Sequence, residues 1–582
     1  MVKITKKEIK ENKVNKIKDI RKLFKLFNID GFLVPKNDEY FNEYIKESSD
    51  RLKFISNFSG SAGFALILKN ENYLFVDGRY TIQARIESGK NFKIITIPNK
   101  FPKDVLKGKE KLKIGFDPKL HNEKQLNYLF NFKNAILKPL NKNLIDVIWY
   151  KKTKESIKPF FLLSKKNVGQ SIENKILKIK KILLKNKINY LLVSAPENVA
   201  WILNIRGHDS SFSPIPNSRL LINDNGKLVF FSKPEKLSKI KKTLLKNVEF
   251  YDESKIEKKL TNLNNKKIWL DSLSCSIYYK NLLSRKNKII DKIDPIYFLK
   301  AVKNSTEIKN MKKCHLADGV ALTKFLFWLK KNFRKKKITE ISAQDKLENF
   351  RKMNKAYQFP SFSTISGAGP NSAIIHYKAS KRSNRILKEG DLYLVDSGGQ
   401  YSFGTTDVTR TISLNNNSKF IKDVYTRVLK GHIAVSDYKI KKNSKGSDVD
   451  LGARKFLKQK KLDYPHGTGH GVGHFLNVHE GPQSISKKSK VNLKPGMIIS
   501  NEPGYYKEGW FGIRIENLIY IKNSKFEELT LAPIEKNLID RKMLNKNEKS
   551  WLNKYHSKVR KNLFKFMNAE EKENLLNACS PI

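Results

Sequence analysis

Four histidines crowd into fourteen residues, HGTGHGVGHFLNVH (466–479), with glycines interleaved among them. A lone histidine is usually a satisfied core or surface residue, and His121, His315, His432 and His556 read that way. A cluster is different: it places several groups that titrate near neutrality and bind metals side by side, and glycine lets backbone crowd a ligand. His376 is the fifth histidine of the group, outside the block. The block therefore marks a site, and the rest of the chain has to build around it.

Acidic residues at the ends of apolar strands complete the set. Asp396 ends LYLVD and is followed by SGG. Asp407 lies eleven residues on, in TTDVTR, which reads as the next strand; a hairpin then brings both carboxylates to one face. Glu502 follows the apolar strand MIIS and its Asn501, and Glu516 lies in GIRIENLIYI, where Arg514, Glu516 and Leu518 share a face. Burying acids there is costly unless a cation or an arginine such as Arg410 or Arg514 faces them. Together with His470, these four carboxylates form a hard, oxygen-rich set. It suits Mn²⁺, Mg²⁺, Co²⁺ or Zn²⁺ with bridging carboxylates rather than a thiolate zinc. Two ions roughly 3.5–4 Å apart activate a water and polarise a carbonyl, so the predicted chemistry is metal-assisted hydrolysis.

Composition sets the frame. A chain of 582 residues is too long for one core, and length favours about three domains. A hydrophobic fraction of 39% excludes a disordered scaffold. The formal charge of +59 invites a nucleic-acid partner, but 98 of the 115 basic residues are lysines spread along the chain. Phosphate and base recognition enriches arginine, so the charge reads as a solvated surface and nucleic acid is not the expected partner. Cys275, Cys314 and Cys579 are odd in number and far apart, which is cytoplasmic usage with free thiols. The basic N-terminus MVKITKKEIKENK is followed by no apolar core, and no run approaches a membrane span. A soluble cytoplasmic protein with no membrane partner is expected.

A faint internal repeat organises the first half. RKLFKLFNIDGFLVPKNDEY (21–40) reads as helix, turn and buried strand, and KKILLKNKINYLLVSAPENVAWI (180–202) repeats the order. Each is followed by two apolar strands around a polar turn, FALILKNENYLFVD (64–77) and SRLLINDNGKLVFF (218–231). Two related α/β domains, 1–152 and 153–305, are predicted. A third, 306–582, opens near the capping pair Asn304/Glu307 and mixes short Gly- and Pro-broken strands with helices near 420–437 and 447–461. An extension begins at about 525, and its Trp551, Leu552, Tyr555, Val559 and Leu563 predict a packed helix.

The order Asp–Asp–His–Glu–Glu in VDSG, TTDVTR, GTGHGVG, NEPGYY and GIRIEN resembles the pita-bread metallopeptidases, which include methionine aminopeptidase, prolidase and aminopeptidase P. The likeness is greatest to the cytosolic, three-domain aminopeptidase P family. It spans nearly the whole chain, through SNFSGSAGFALI, VDGRYTIQA, ENVAWILNIRG, HGTGHGVGHFLNVHEGP, LAPIEKNLID and WLNKYHSKVR. The resemblance implies an α+β fold: a C-terminal pita-bread domain after two creatinase-N-like α/β domains. It implies two divalent ions, Mn²⁺ first and Co²⁺ or Zn²⁺ otherwise, held by Asp396, Asp407, His470, Glu502 and Glu516, with Asp407 and Glu516 bridging. Glu502 would double as general base. His376 and His479 would donate to the substrate and the developing oxyanion, and His466 would line the proline side. Tyr506, Arg514 and, from the first domain, Arg79 would complete the substrate site. The implied substrate is a peptide with proline second, and the implied assembly a homodimer. A dipeptide-restricted prolidase and a non-catalytic binding relative are the alternatives. His474 has no assigned role and is expected to pack under the site.

Overall fold

The computed structural model describes residues 15–130, 133–150, 152, 156–240, 248–415 and 418–582. The basic N-terminal segment, up to Lys13, lies outside the described residues, as does much of the junction expected near 152–153. Two compact units divide the chain: 1–156 with 272–282, and 157–271 with 283–582.

In the first unit, six strands form one mixed sheet whose central strands bury both faces, while the edge strands Lys93–Ile97 and Ala135–Pro139 are only partly buried. Phe32 and Val34, Ala65 and Ile67, and Leu74 and Val76 pack on one side, with Ile20 and Phe24 of the helix Lys16–Leu26. Leu33, Phe64, Leu66, Tyr73 and Phe75 pack on the other, as the period of two requires. The central strand Gly31–Pro35 pairs antiparallel with Phe64–Leu68 and parallel with Leu112–Phe116. Phe64–Leu68 then pairs antiparallel with Asn72–Asp77, which pairs parallel with Lys93–Ile97.

The second unit opens with the same topology. Its central strand Tyr190–Val193 pairs antiparallel with Arg219–Asn223 and parallel with Lys267–Leu270. Arg219–Asn223 pairs antiparallel with Leu228–Phe231, which pairs parallel with Val248–Tyr251. The two sheets are laid out alike, strand for strand, so the faint repeat in the sequence reports a repeated fold.

Helix Ser305–Asn332 begins the last domain with the expected capping box, in which the Asn304 side chain caps the Glu307 N–H and the Glu307 carboxylate caps the Asn304 N–H. Antiparallel strands Ile365–Ala368, Leu392–Ser397 and Val408–Ser413 form one sheet, and Ile498–Asn501, Asn517–Lys522 and Lys525–Glu528 another. Helices Lys419–Ser436 and Lys546–Leu563 share one core. Val424, Val428 and Leu429 of the first and Leu552, Val559 and Leu563 of the second all lie buried in it. Val428 and Leu429 lie four and five residues beyond Val424, and Val559 and Leu563 seven and eleven beyond Leu552, which puts each set on one helical face, and each side chain so buried contributes about 1.5–3 kcal/mol.

Two local readings need correction. Asp407 is not inside a strand: the eleven-residue connection folds into its own short pairing of Gly399–Tyr401 with Gly404–Thr405, and Asp407 sits just before Val408–Ser413. GIRIENLIYI is not one strand either. It breaks at Ile515–Glu516 between Phe511–Arg514 and Asn517–Lys522, because the Glu516 N–H turns to the Thr409 carbonyl instead of continuing a ladder. Among the described residues no helix is long and apolar enough to cross a membrane.

Candidate metal centre

Each acidic residue of the site is delivered by a strand end or a strand break. Asp396 lies on Leu392–Ser397 opposite Thr409, and Glu502 follows Ile498–Asn501. The Glu502 N–H donates to the Thr468 carbonyl, which ties this acid to the histidine block. Ligand atoms of Asp407, His470 and Glu516 lie within 4.8 Å of one another. His470 Nε2 stands 3.4 Å from Asp407 Oδ2 and 3.3 Å from Glu502 Oε1. Its Nδ1 lies 3.0 Å from the Gly471 carbonyl, so Nδ1 carries the proton and donates there, leaving Nε2 to face the acids.

Asp396 answers the arginine question raised by the sequence. Arg514 Nη2 donates to Asp396 Oδ2 at 2.6 Å, while Asp396 Oδ1 is buried and has no hydrogen-bond partner among the described residues. Arg410 pairs with none of the acids. Its guanidinium donates to the carbonyls of Thr409, Glu516, Ala532 and Pro533 and to the Tyr555 hydroxyl, and so fixes the backbone at Glu516.

Burial pushes the Asp396 carboxyl up to about 7, with Asp407 and Glu502 adding repulsion against the pull of Arg514. Burial also raises Glu502, and Glu516 well above the usual range, where Asp407, Glu502 and Asp396 reinforce the effect. His470 is desolvated, yet Asp407 and Glu502 carry it up to about 9. Buried acids at this spacing repel one another, and a divalent cation is the partner that relieves them. The orphaned Asp396 oxygen and the oxygen-rich donor set with one imidazole fit such ions.

The flanking residues form a hydrogen-bonded chain. His466 Nε2 is 2.8 Å from the Tyr506 hydroxyl, and Arg514 Nη1 donates to that hydroxyl at 2.6 Å. Arg514 Nη2 also reaches the carbonyl of Ile375, the neighbour of His376, at 3.4 Å. His479 stands edge-on to His470 with ring centroids 4.3 Å apart. Arg79 lies in the first unit, where its guanidinium forks onto Asp77 at 2.9 and 2.8 Å. His474 is buried as expected; burial, with Arg206, Lys303 and Lys175 nearby, pushes its pKa down to about 3, so the ring is neutral.

The glycines of the block act differently from the expectation. A Cβ at Gly469 would stand 1.9 Å from the Ser500 carbonyl oxygen, and one at Gly471 2.1 Å from that of Glu480. They admit backbone against backbone rather than a ligand. Several working residues were not anticipated. Thr409 accepts from Arg514 Nε at 3.1 Å and donates to Glu516 Oε2 at 2.7 Å. Ser500 accepts from the His470 N–H at 2.9 Å and donates to Glu502 Oε1 at 3.0 Å. Glu340 accepts from the backbone N–H of Ala368 and Arg385 and from the Tyr377 hydroxyl, and so gathers the loop that holds His376. Thr409 had a signal in its placement two residues beyond Asp407; Ser500 and Glu340 had none.

Residues 309–523 match metallopeptidase family M24, and 522–582 match the C-terminal region of that peptidase. Residues 16–144 and 151–307 match two creatinase/prolidase N-terminal domains. A probable Xaa-Pro aminopeptidase P of Coprinopsis cinerea is 36% identical over 91% of this chain and 92% of its own length. This chain belongs to that family of metallopeptidases. The X-prolyl aminopeptidase of Caenorhabditis elegans, a cytosolic enzyme with a di-nuclear active site, superposes with a TM-score of 0.93 at 29% identity, covering 98% of this chain and all (100%) of that one. The prolidase of Pyrococcus horikoshii, 27% identical, covers 62% of this chain and 99% of its own, with a TM-score of 0.52. The Caenorhabditis elegans enzyme thus matches this chain over nearly its whole length, which the prolidase does not span.

Proposed function

We propose that this chain is a metalloaminopeptidase that hydrolyses the bond between an N-terminal residue and a following proline. The observation that carries the reading is the meeting of Asp407, His470 and Glu516 within 4.8 Å, with Glu502 3.3 Å from His470 and Asp396 held beside them by Arg514. Asp396, Asp407, His470, Glu502 and Glu516 would hold two divalent ions. Those ions would supply Lewis-acid polarisation of the scissile carbonyl and a water acidic enough to attack at neutral pH.

The protein's own groups do the rest. Glu502, raised by burial, is poised to take the proton of the attacking water. As the carbon–nitrogen bond breaks, that proton passes to the proline nitrogen, which otherwise leaves as an unstable anion. His376 and His479 donate to the developing oxyanion. His466, Tyr506 and Arg514 form the wall on the proline side. An Xaa-Pro bond is a tertiary amide without an N–H, so a site for it needs a ring pocket and donors aimed at the carbonyl.

Manganese is the proposed metal on the strength of the hard donor set and the family resemblance, with cobalt and zinc accepted by the same ligands. The family likeness also supports a homodimer, and the cytosolic neighbour a cytoplasmic location. Turnover of Xaa-Pro dipeptides against longer Xaa-Pro-Yaa peptides tests the substrate reading. The longer peptides are expected to be preferred; strict dipeptide preference would replace it with the prolidase reading.

A further inference from the structure

The loop between His470 and His479 is a strained excursion with buried backbone. It closes on itself where the Glu480 N–H donates to the Gly471 carbonyl at 2.7 Å and the Gly473 N–H to that of Asn477 at 2.9 Å. Phe475 at its tip adopts a positive φ of 48°, which is strained for a bulky side chain and persists only where surroundings impose it. Three successive carbonyls at the tip, those of His474, Phe475 and Leu476, point away from the loop into the protein, and none is satisfied by the loop itself. Gln400 Nε2 serves the last at 2.7 Å. The other two are served by one residue from another domain.

That residue is Arg206, on the short strand Ile205–Arg206 of the second creatinase-like domain. It is 2% exposed, and its Nη2 donates to the His474 carbonyl at 3.0 Å while its Nε donates to that of Phe475. The remaining nitrogen, Nη1, is fixed by the Ala200 and Ile205 carbonyls at 3.1 and 2.8 Å, so the guanidinium cannot swing away. The base of the loop is held from the same side. Glu480, next to His479, is buried against Lys300, 3.3 Å away, and Lys303, both at the end of the second domain. Among the described residues Arg206 has no carboxylate partner at hydrogen-bond distance; its donors are spent on backbone.

We propose that Arg206 is a positioning residue for catalysis. By pinning two carbonyls at the loop tip it holds His470 and His479 against each other over the acids, so the second domain is part of the active-site machinery. Arg206 touches no reacting atom in this account and acts only through the loop. The kinetic consequence rests on the peptidase reading above; the structural consequence does not.

Arg206→Gln tests this with two readouts on the full-length chain. Hydrogen–deuterium exchange on metal-free protein is expected to speed up across 469–483 while peptides from the first unit exchange as before. On metal-loaded protein kcat is expected to fall about 10–100-fold, the usual cost of losing a residue that orients ligands from behind, with KM within about threefold. Unchanged kcat in folded protein would overturn the proposal, and so would a fall in kcat with unchanged loop exchange, or a change in KM alone. If Arg206→Gln does not fold, Arg206→Lys keeps the charge but cannot fork onto two carbonyls. It is expected to show both changes to a smaller degree, and wild-type behaviour in both readouts would overturn the assignment. Should exchange rise while no form of the protein cleaves peptides, the loop-holding role stands and the peptidase reading falls.

Discussion

The two creatinase-like domains share a sheet layout and differ in where their buried cations end. In the first, Arg51 forks onto Asp146 at 2.9 and 2.9 Å and meets Glu39 at 2.7 Å, and Lys36 pairs with Asp50, all within the domain. In the second, Lys236 pairs with Asp209 and Lys175 with Asn204 inside the domain, but buried Arg206, Lys300 and Lys303 also reach His474, Phe475 and Glu480 of the catalytic domain. A buried charge must be matched somewhere, and removing one partner leaves the other stranded. The first domain settles that requirement internally. The second settles part of it on the histidine-rich loop and its neighbour Glu480, so the proposed positioning role sets the second copy of the fold apart from the first.

Substitutions separate these roles. The largest effect is expected within the site itself: Glu502→Gln should lower kcat by about 10³-fold or more while leaving the melting temperature nearly unchanged, since general-base contributions reach about 10²–10⁴-fold. Asp407→Asn should do the same and also weaken metal binding. Retained hydrolysis in either, read in a peptide-cleavage assay beside a thermal melt, contradicts the roles assigned.

Acid comes next. Burial pushes His432 and His556 down to about 3 and His121 down to about 4. Their folded values lie below the unfolded value of about 6.5, so the unfolded chain binds more protons and stability is lost as pH falls from about 6.5 towards 3–4. His121 alone belongs to the first unit, and the other two to the second, so denaturant unfolding at pH 5 is expected to show the second unit losing more than the first. Equal losses would break the contrast.

Arg51→Met is expected to cost about 2 kcal/mol of stability in the first unit, less than a fully buried pair because Asp146 and Glu39 are partly exposed. Its kcat at a temperature where the protein is folded should match wild type. A tenfold loss of kcat without unfolding would make the first domain a second support for chemistry and dissolve the comparison. The smallest effect is a proton count. With His470 raised to about 9 and Asp396 to about 7, the metal-free site holds protons at neutral pH that a cation must displace. Calorimetric titration with Mn²⁺ in buffers of different ionisation heat should show release of on the order of one or two protons. No release would mean these groups are already deprotonated.

Much of this was legible in the sequence because chemistry restricts residue types more tightly than packing does. Asp396, Asp407, His470, Glu502 and Glu516 stood out as acids and an imidazole where apolar strands end, and the repeat at 21–40 and 180–202 reported two matching sheets. What escaped depended on distant partners. TTDVTR alternates well enough to predict a strand through Asp407, but the connection before it makes its own pairing. GIRIENLIYI looked continuous because only a contact with Thr409, far away in sequence, breaks it. Arg410 looked like a counter-ion and turned out to hold backbone carbonyls. Arg206 lies 268 positions from His474 and was one more residue in ENVAWILNIRG, with no local feature to say whose carbonyls it would meet.

The central claim is that five side chains from strand ends and one histidine-rich loop make a dinuclear site for cleavage before proline. Metal analysis of the purified protein, joined to an Xaa-Pro-Yaa cleavage assay on the same Mn²⁺-reconstituted sample, tests it most directly. The account predicts about two ions per chain and release of the free N-terminal residue, both lost together in Asp407→Asn. A protein that binds no metal, or that binds metal and leaves the Xaa-Pro bond intact, would contradict it.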